Sequence, residues 1–243
     1  MISFFDLLYP PRCPICDGVR LSDEPVCCPS CADRVSYIAE PFCMCCGRPL
    51  SRDDCEFCYD CSKKKRSFSD GVSLGRYDGV LKESIIRFKF FGREEYACWY
   101  TEELLRRQGE RLRRFDADIV VPVPMHRRKE KKRGYNQART FAELLAAELS
   151  IPLADNVLVR SRYTEPQKEL NDVARLQNLL QAFAVDEDKL SAYKKNHSGY
   201  RVILADDIFT TGSTVEACAR LLKKAGAEAV APVTVAVAGG YSS

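Results

Sequence analysis

No stretch of this chain approaches the roughly 18 consecutive apolar residues that a membrane span needs, so no membrane insertion is expected. One-sided charge is also lacking: 37 Lys and Arg against 34 Asp and Glu leave a formal +3 over 243 residues. A balance that small does not argue for a protein that coats nucleic acid. Any anion binding must come from local clusters. The opening Met1-Ile2-Ser3-Phe4-Phe5-Asp6-Leu7-Leu8-Tyr9 has no basic leader, and Asp6 interrupts its apolar run, so a secretory signal is not expected. The composition is globular, 46% hydrophobic and 29% charged, and the expected location is the cytoplasm.

Cysteine is what the chain has in excess. Thirteen cysteines in a reducing compartment need a reason other than disulfides. Eleven lie between Cys13 and Cys61, leaving only Cys98 and Cys218 outside, both among residues that read as helix core. Cys13-Pro14-Ile15-Cys16 and Cys28-Pro29-Ser30-Cys31 are separated by 11 residues, and so are Cys43-Met44-Cys45-Cys46 and Cys58-Tyr59-Asp60-Cys61. The second set repeats the first 30 positions later, whereas Cys27, Cys45 and Cys55 have no counterpart at that offset.

A Cys-x-x-Cys turn presents two thiolates on one side of a tight loop, and two such turns complete a tetrahedron about zinc. The segments between them are too short and polar to build a core, so metal binding must supply much of the folding energy. Two structural Zn2+ sites are expected, one at Cys13, Cys16, Cys28 and Cys31, the other at Cys43, Cys46, Cys58 and Cys61. Spacing and compartment both disfavour a disulfide scaffold or a redox motif. The local arrangement is taken, while shared or crossed pairing of the knuckles stays open. Each four-thiolate site carries net negative charge, which Lys63-Lys64-Lys65-Arg66 partly offsets. The basic, polar stretch from Ser62 to Asp70 marks the boundary between a zinc module at 1–66 and a second domain at 67–243.

In that second domain strands alternate with helices. Strands are expected at Gly71–Tyr77, Asp118–Pro124, Arg201–Ala205 and Ala229–Ala238. Helices are expected at Val80–Phe91, Glu94–Gln108, Asn136–Leu149 and Ser213–Lys224. This is an α/β pattern, a parallel sheet with helices on both faces, in which ligands bind beyond the C-terminal strand ends.

The sharpest motif is Val202-Ile203-Leu204-Ala205-Asp206-Asp207-Ile208-Phe209-Thr210-Thr211-Gly212-Ser213-Thr214. A hydrophobic strand runs into two acids, then a hydroxyl-rich turn, then a helix whose free N–H groups suit a phosphate dianion. Gly212 allows close approach, and Thr210, Thr211, Ser213 and Thr214 offer hydroxyl donors. Asp206 and Asp207 would repel a phosphate, so they suit the vicinal hydroxyls of a sugar and a magnesium ion. The plain alternative is a strand-to-helix turn with Ser213 as a cap and solvated acids.

These residues resemble the signature of the type I phosphoribosyltransferases, which bind 5-phosphoribosyl-1-pyrophosphate (PRPP). The whole chain is most similar to the ComF family, a double zinc ribbon followed by a phosphoribosyltransferase domain. The closer likeness rests on Val121-Pro122-Val123-Pro124 with Arg133-Gly134-Tyr135-Asn136-Gln137. It rests also on Thr164, Gln167, Arg175 and Asn178 ahead of Ala182-Phe183, and on Arg87-Phe88-Lys89-Phe90 before Gly92. The resemblance implies that Asp206 and Asp207 are the catalytic pair, binding the ribose hydroxyls. It implies that Thr210 to Thr214 hold the 5-phosphate, and that Mg2+ bridges pyrophosphate and sugar. An acid stands in place of Thr210 in purine-salvage members, so that reaction is not expected and the acceptor is unnamed.

The loop after Pro124 gathers Arg127, Arg128, Lys129, Lys131, Lys132 and Arg133, with His126 at its start. Arg133 and Asn136 are the candidates for pyrophosphate, Arg133 through a bidentate pair. Arg175 is a third, on a helix that would hood the ligand. A solvated basic loop is the alternative. Lys89 and Arg87, on an otherwise apolar helix, either face the site or snorkel. The expected function is transfer of phosphoribosyl from PRPP to a nucleophile. The ComF likeness adds a setting in natural competence and DNA uptake, with single-stranded DNA or competence proteins as partners. A second reading is a non-catalytic PRPP- and single-stranded-DNA-binding protein, with Tyr135 stacking on a base. A PRPP sensor without turnover is a third.

Overall fold

A computed structural model of the chain describes residues 10–21, 24–161, 172–193 and 199–239; Thr164 and Gln167 lie outside them. The elements in chain order are α1 Pro29–Ala32, α2 Tyr59–Lys63, β1 Val72–Arg76, α3 Gly79–Phe90, α4 Tyr96–Phe115, β2 Ile119–Pro122, α5 Arg127–Arg133 and α6 Gln137–Leu149. There follow β3 Leu158–Arg160, α7 Asp172–Ala182, β4 Phe183–Val185, α8 Glu187–Ser191, β5 Tyr200–Phe209, α9 Ser213–Lys224 and β6 Ala227–Val237.

The main sheet has the order β1-β6-β5-β2 with every neighbouring pair parallel. The near-continuous apolar runs of β5 and β6 follow from burial on both faces. Ile203, Ala205, Val233 and Val235 pack with Phe88 of α3, Tyr100 and Leu104 of α4, and Phe141 and Leu145 of α6. Val202, Leu204 and Val230 pack on the other side with Val215, Cys218 and Leu222 of α9. This is the expected α/β architecture of a phosphoribosyltransferase-type domain behind a double zinc ribbon.

Four local expectations change. Helix α4 continues past Gln108 to Phe115, because Leu112 and Phe115 extend the buried stripe through a charged stretch; it stops at Asp116 in the left-handed region, φ +52°. Strand β5 runs through both acids to Phe209, since β6 pairs it along that length, with Asp206 opposite Thr234 and Ile208 opposite Ala236. The basic stretch after Pro124 is not a loop but the helix α5, capped by the His126 imidazole and ended at Gly134. A small antiparallel pair, β3 with β4, was not signalled by periodicity.

The ribbon module is bound into both cores. Cys13, Ile15, Cys31 and Val35 join the α3–α4 side, and Ile38, Cys43, Cys46 and Cys58 join the α9 side. Between its halves, the Ile38 N–H donates to the Leu74 carbonyl at 3.0 Å and the Arg76 N–H to the Ser36 carbonyl at 2.8 Å. This connector covers the edge strand β1, whose open groups would otherwise template aggregation. The second half meets the start of β1 backbone to backbone: a Cβ on Gly71 would stand 2.6 Å from the Cys46 carbonyl carbon. Arg87 donates to the Ile15 carbonyl, so it fastens the first half of the ribbon module. Among the described residues, no helix is long and apolar enough to cross a membrane.

Shared cores predict a single cooperative melting transition for the zinc-loaded chain, with a chelator lowering Tm by roughly 10 °C or more. Scanning calorimetry before and after chelation checks this; a second domain that melts independently of zinc would contradict it.

Candidate functional site

The eight repeating cysteines gather into two groups, Cys13, Cys16, Cys28 and Cys31, and Cys43, Cys46, Cys58 and Cys61, with the ligand atoms of each group within 4.8 Å of one another. Sulfurs at about 2.3 Å from one zinc stand about 3.8 Å apart in a tetrahedron. The Cys16–Cys28 and Cys46–Cys58 separations, 4.0 and 3.7 Å, fit that figure. The pairing is therefore local to each half. Of the three bystanders, Cys45 donates to the Phe68 carbonyl at 3.3 Å and Cys55 is exposed. Cys27 lies 3.8 Å from Cys13, closer than its place outside the repeat suggests.

The thiols record the crowding. Against burial, backbone N–H donors at Cys16, Cys28 and Ile15 bring Cys13 down to about 6. Burial and neighbouring sulfurs push Cys31 up to about 12. In the second group Cys43 is lowered by hydrogen bonds from Cys46 and other thiols, while Cys46 is raised, chiefly by Cys43. Thiols this crowded oppose one another's ionisation, and a divalent cation would let them ionise together.

The second site lies at the C-terminal ends of β2 and β5, which pair with Pro122 opposite Ala205. Successive strand residues face opposite sides, so the two acids turn to different sides of β5. Asp207 turns to α3, where Lys89 Nζ stands 2.9 Å from its Oδ2, both side chains largely enclosed. Asp206 lies on the α9 side, its Oδ1 accepting the Asp207 N–H at 2.8 Å. Burial, then the Asp207 charge, lifts Asp206 to about 7, with the Lys89 and Arg160 charges opposing.

Past Phe209 the chain turns into α9 through Gly212, at φ +76°. A Cβ there would come 2.6 Å from the Phe209 ring, so this position requires glycine twice over. Thr211 Oγ1 and Ser213 Oγ are 2.9 Å apart, while Thr210 and Thr211 are exposed and Thr214 half-buried. The turn therefore sets hydroxyls and the first N–H groups of a 12-residue helix beside the acids.

Two family models match the chain: a double zinc ribbon domain over residues 4–62 and a phosphoribosyl transferase domain over residues 136–241. Competence protein F of Haemophilus influenzae is 32% identical over 95% of this chain and 96% of its own. Competence protein ComFC of Bacillus subtilis is 30% identical over 88% and 84%. The chain belongs to the ComF family. DNA utilization protein YhgH of Escherichia coli is similar too, 29% identical over 83% of this chain and 86% of its own.

In this ComF chain, Asn136 caps α6, accepting the Ala138 N–H at 3.2 Å and donating to the Val123 carbonyl at 3.3 Å. It thus stands against Val123, the residue that follows β2 and donates its own N–H to the Ala205 carbonyl at 2.8 Å. Arg133 donates to Gln137 Oε1 at 2.5 Å, and its guanidinium lies 4.8 Å from the Phe90 ring centre, next to Lys89. Arg175 is exposed on α7, and among the described residues no contact joins it to the acids or to the turn at 210–214. Tyr135 is committed elsewhere than to a base: its hydroxyl donates to the Phe88 carbonyl and its ring packs on Phe88.

Sequence reasoning missed Arg160. It stacks at 5.1 Å on Phe183, and its charge acts on Asp206, His126 and Lys129 alike. Lys129 is lowered by burial and then by the Arg160 and Arg133 charges. Nothing in the local pattern around Arg160 could have found it, because β3 reaches the site only through tertiary packing. The Phe90 ring, 65% exposed, also lies beside the basic helix.

The raised Asp206 makes a signed prediction. Its ordinary value is 3.8, so between about 4 and 7 the folded chain holds a proton that the unfolded chain has released. Stability falls through that window as pH rises, and the cost is complete above it. Asp206→Asn is expected to raise Tm by roughly 2–5 °C at pH 8 and hardly at all at pH 4; an equal shift at both pH values would overturn the assignment.

Proposed function

We propose that this ComF protein binds PRPP with Mg2+ at the ends of β2 and β5 and transfers its phosphoribosyl group to a nucleophile. We place it in the cytoplasm, in the service of DNA uptake. The observation that carries this reading is the strand end bearing Asp206 and Asp207, which runs through the Gly212 turn into α9 beside a basic helix. The 5-phosphate would take the N–H groups and hydroxyls of Thr210 to Thr214. The two carboxylates, one on each side of β5, would take the ribose hydroxyls. Pyrophosphate would meet Arg133 and the cations near it, with Arg175 reaching it only if α7 closes over the ligand. Carboxylate oxygens suit a hard cation, and Mg2+ when bound supplies charge neutralisation for the departing pyrophosphate. Lys89 holds Asp207 until ligand arrives, which keeps a paired rather than a bare carboxylate in the free site.

Isothermal titration tests this reading. PRPP should bind with Mg2+ and much more weakly without it, and Asp206→Asn/Asp207→Asn should lower affinity at least tenfold. Binding indifferent to Mg2+ and to that double change would refute it. Pyrophosphate release with candidate acceptors then separates an enzyme from a sensor.

A second reading, single-stranded DNA binding, draws on the exposure of Arg127, Arg128, Lys131 and Lys132 along α5 and on the relatives' names. Affinity for a single-stranded oligonucleotide should then fall steeply with salt, and removing the charges at Arg127, Arg128 and Lys132 should flatten the slope by roughly 2. Affinity unmoved by either change would leave only the PRPP reading.

A further inference from the structure

The turn between β5 and α9 is held from outside its own domain. Arg48, in the second ribbon half and only 7% exposed, pairs with Asp60 through Nη1 at 2.8 Å and donates through Nη2 to the Thr210 carbonyl. Its guanidinium carbon stands 5.5 Å from the Phe209 ring centre. Arg66 reaches the next carbonyl, that of Thr211, at 3.5 Å. Asp60 lies on α2 between Cys58 and Cys61 of the second cysteine group.

A planar trans peptide points its carbonyl and the following N–H in opposite directions. With the Thr210 and Thr211 carbonyls turned onto arginines, the N–H groups of Thr211 and Gly212 are turned to the far side. No acceptor among the described residues takes either of them. A guanidinium on a carbonyl also polarises the peptide, which strengthens the N–H at its other end as a donor. The same two contacts thus aim these donors and sharpen them.

We infer that Arg48, assisted by Arg66, is a positioning residue for the anion-binding turn, so that the second zinc ribbon completes a phosphate site it does not itself touch. The chain of constraint runs from the cysteine group through α2 and Asp60 to Arg48 and the Thr210 carbonyl. This inference rests on the reading of the turn as the seat of a sugar 5-phosphate.

The test uses the full-length, zinc-loaded protein with ribose 5-phosphate and magnesium pyrophosphate as separate probes. Zinc content is measured alongside the two affinities. Arg48→Ala should weaken ribose 5-phosphate about tenfold and pyrophosphate less than about twofold, with two zinc ions retained and Arg48→Lys recovering part of the loss. Unchanged ribose 5-phosphate affinity, or an equal loss for both probes, would overturn the inference, the second outcome showing general damage to the fold. Should Arg48→Ala shed zinc, Arg66→Ala decides on the same readouts, with a loss of about threefold confined to ribose 5-phosphate as support and no change as refutation. A wild-type protein that binds neither probe removes the PRPP reading, and the inference with it; that result appears before any variant is made.

Discussion

Eight thiols drawn into two tight groups cannot all ionise without a cation at each centre, and the N-terminal part of the chain depends on that neutralisation. The segments between the knuckles bury few apolar side chains of their own, so the metal does the work that a core does elsewhere. Once fixed, the ribbon halves act as parts of the larger domain. One lies against α3 and α4, the other against α9, and the connector between them closes the β1 edge. Ser67 extends the same bond: its N–H and hydroxyl both reach the buried Glu216 carboxylate on α9, each at 3.0 Å.

The site at the end of β5 is assembled at a cost. A carboxylate lifted to about 7 destabilises the folded chain near neutrality, and an ion pair as enclosed as that of Lys89 and Asp207 gains little over desolvation. Such groups are retained where a ligand meets them. The cations whose charges act on them come from separate places in the chain, Lys89 on α3 and Arg160 on β3. Opposite charges are thereby brought together from segments far apart in a sequence whose net charge is only +3.

The ComF relatives are named for competence and DNA utilization, whereas the larger domain matches phosphoribosyl transferases. Arg133 of the basic helix α5 lies against the exposed Phe90 ring, one residue from the Lys89 that pairs with Asp207.

By itself the sequence determined whatever is periodic or contiguous. The offset of 30 chose the eight metal-binding cysteines over Cys27, Cys45 and Cys55, and the run from Val202 to Thr214 carried strand, acids, turn and helix in order. Only the tertiary structure decided what faces what. It closed the choice of cysteine pairing, put Asp206 and Asp207 on opposite sides of β5, sent Arg87 to the ribbon and Lys89 to Asp207, and fixed Tyr135 against Phe88. It also brought Arg48 to a carbonyl 162 residues away. The physical reason is one of range: hydrogen-bonded periodicity and metal-ligand spacing are local and leave a mark in neighbouring residues. An ion pair between distant segments leaves none, since any lysine or arginine on a helix looks the same until the fold supplies its partner.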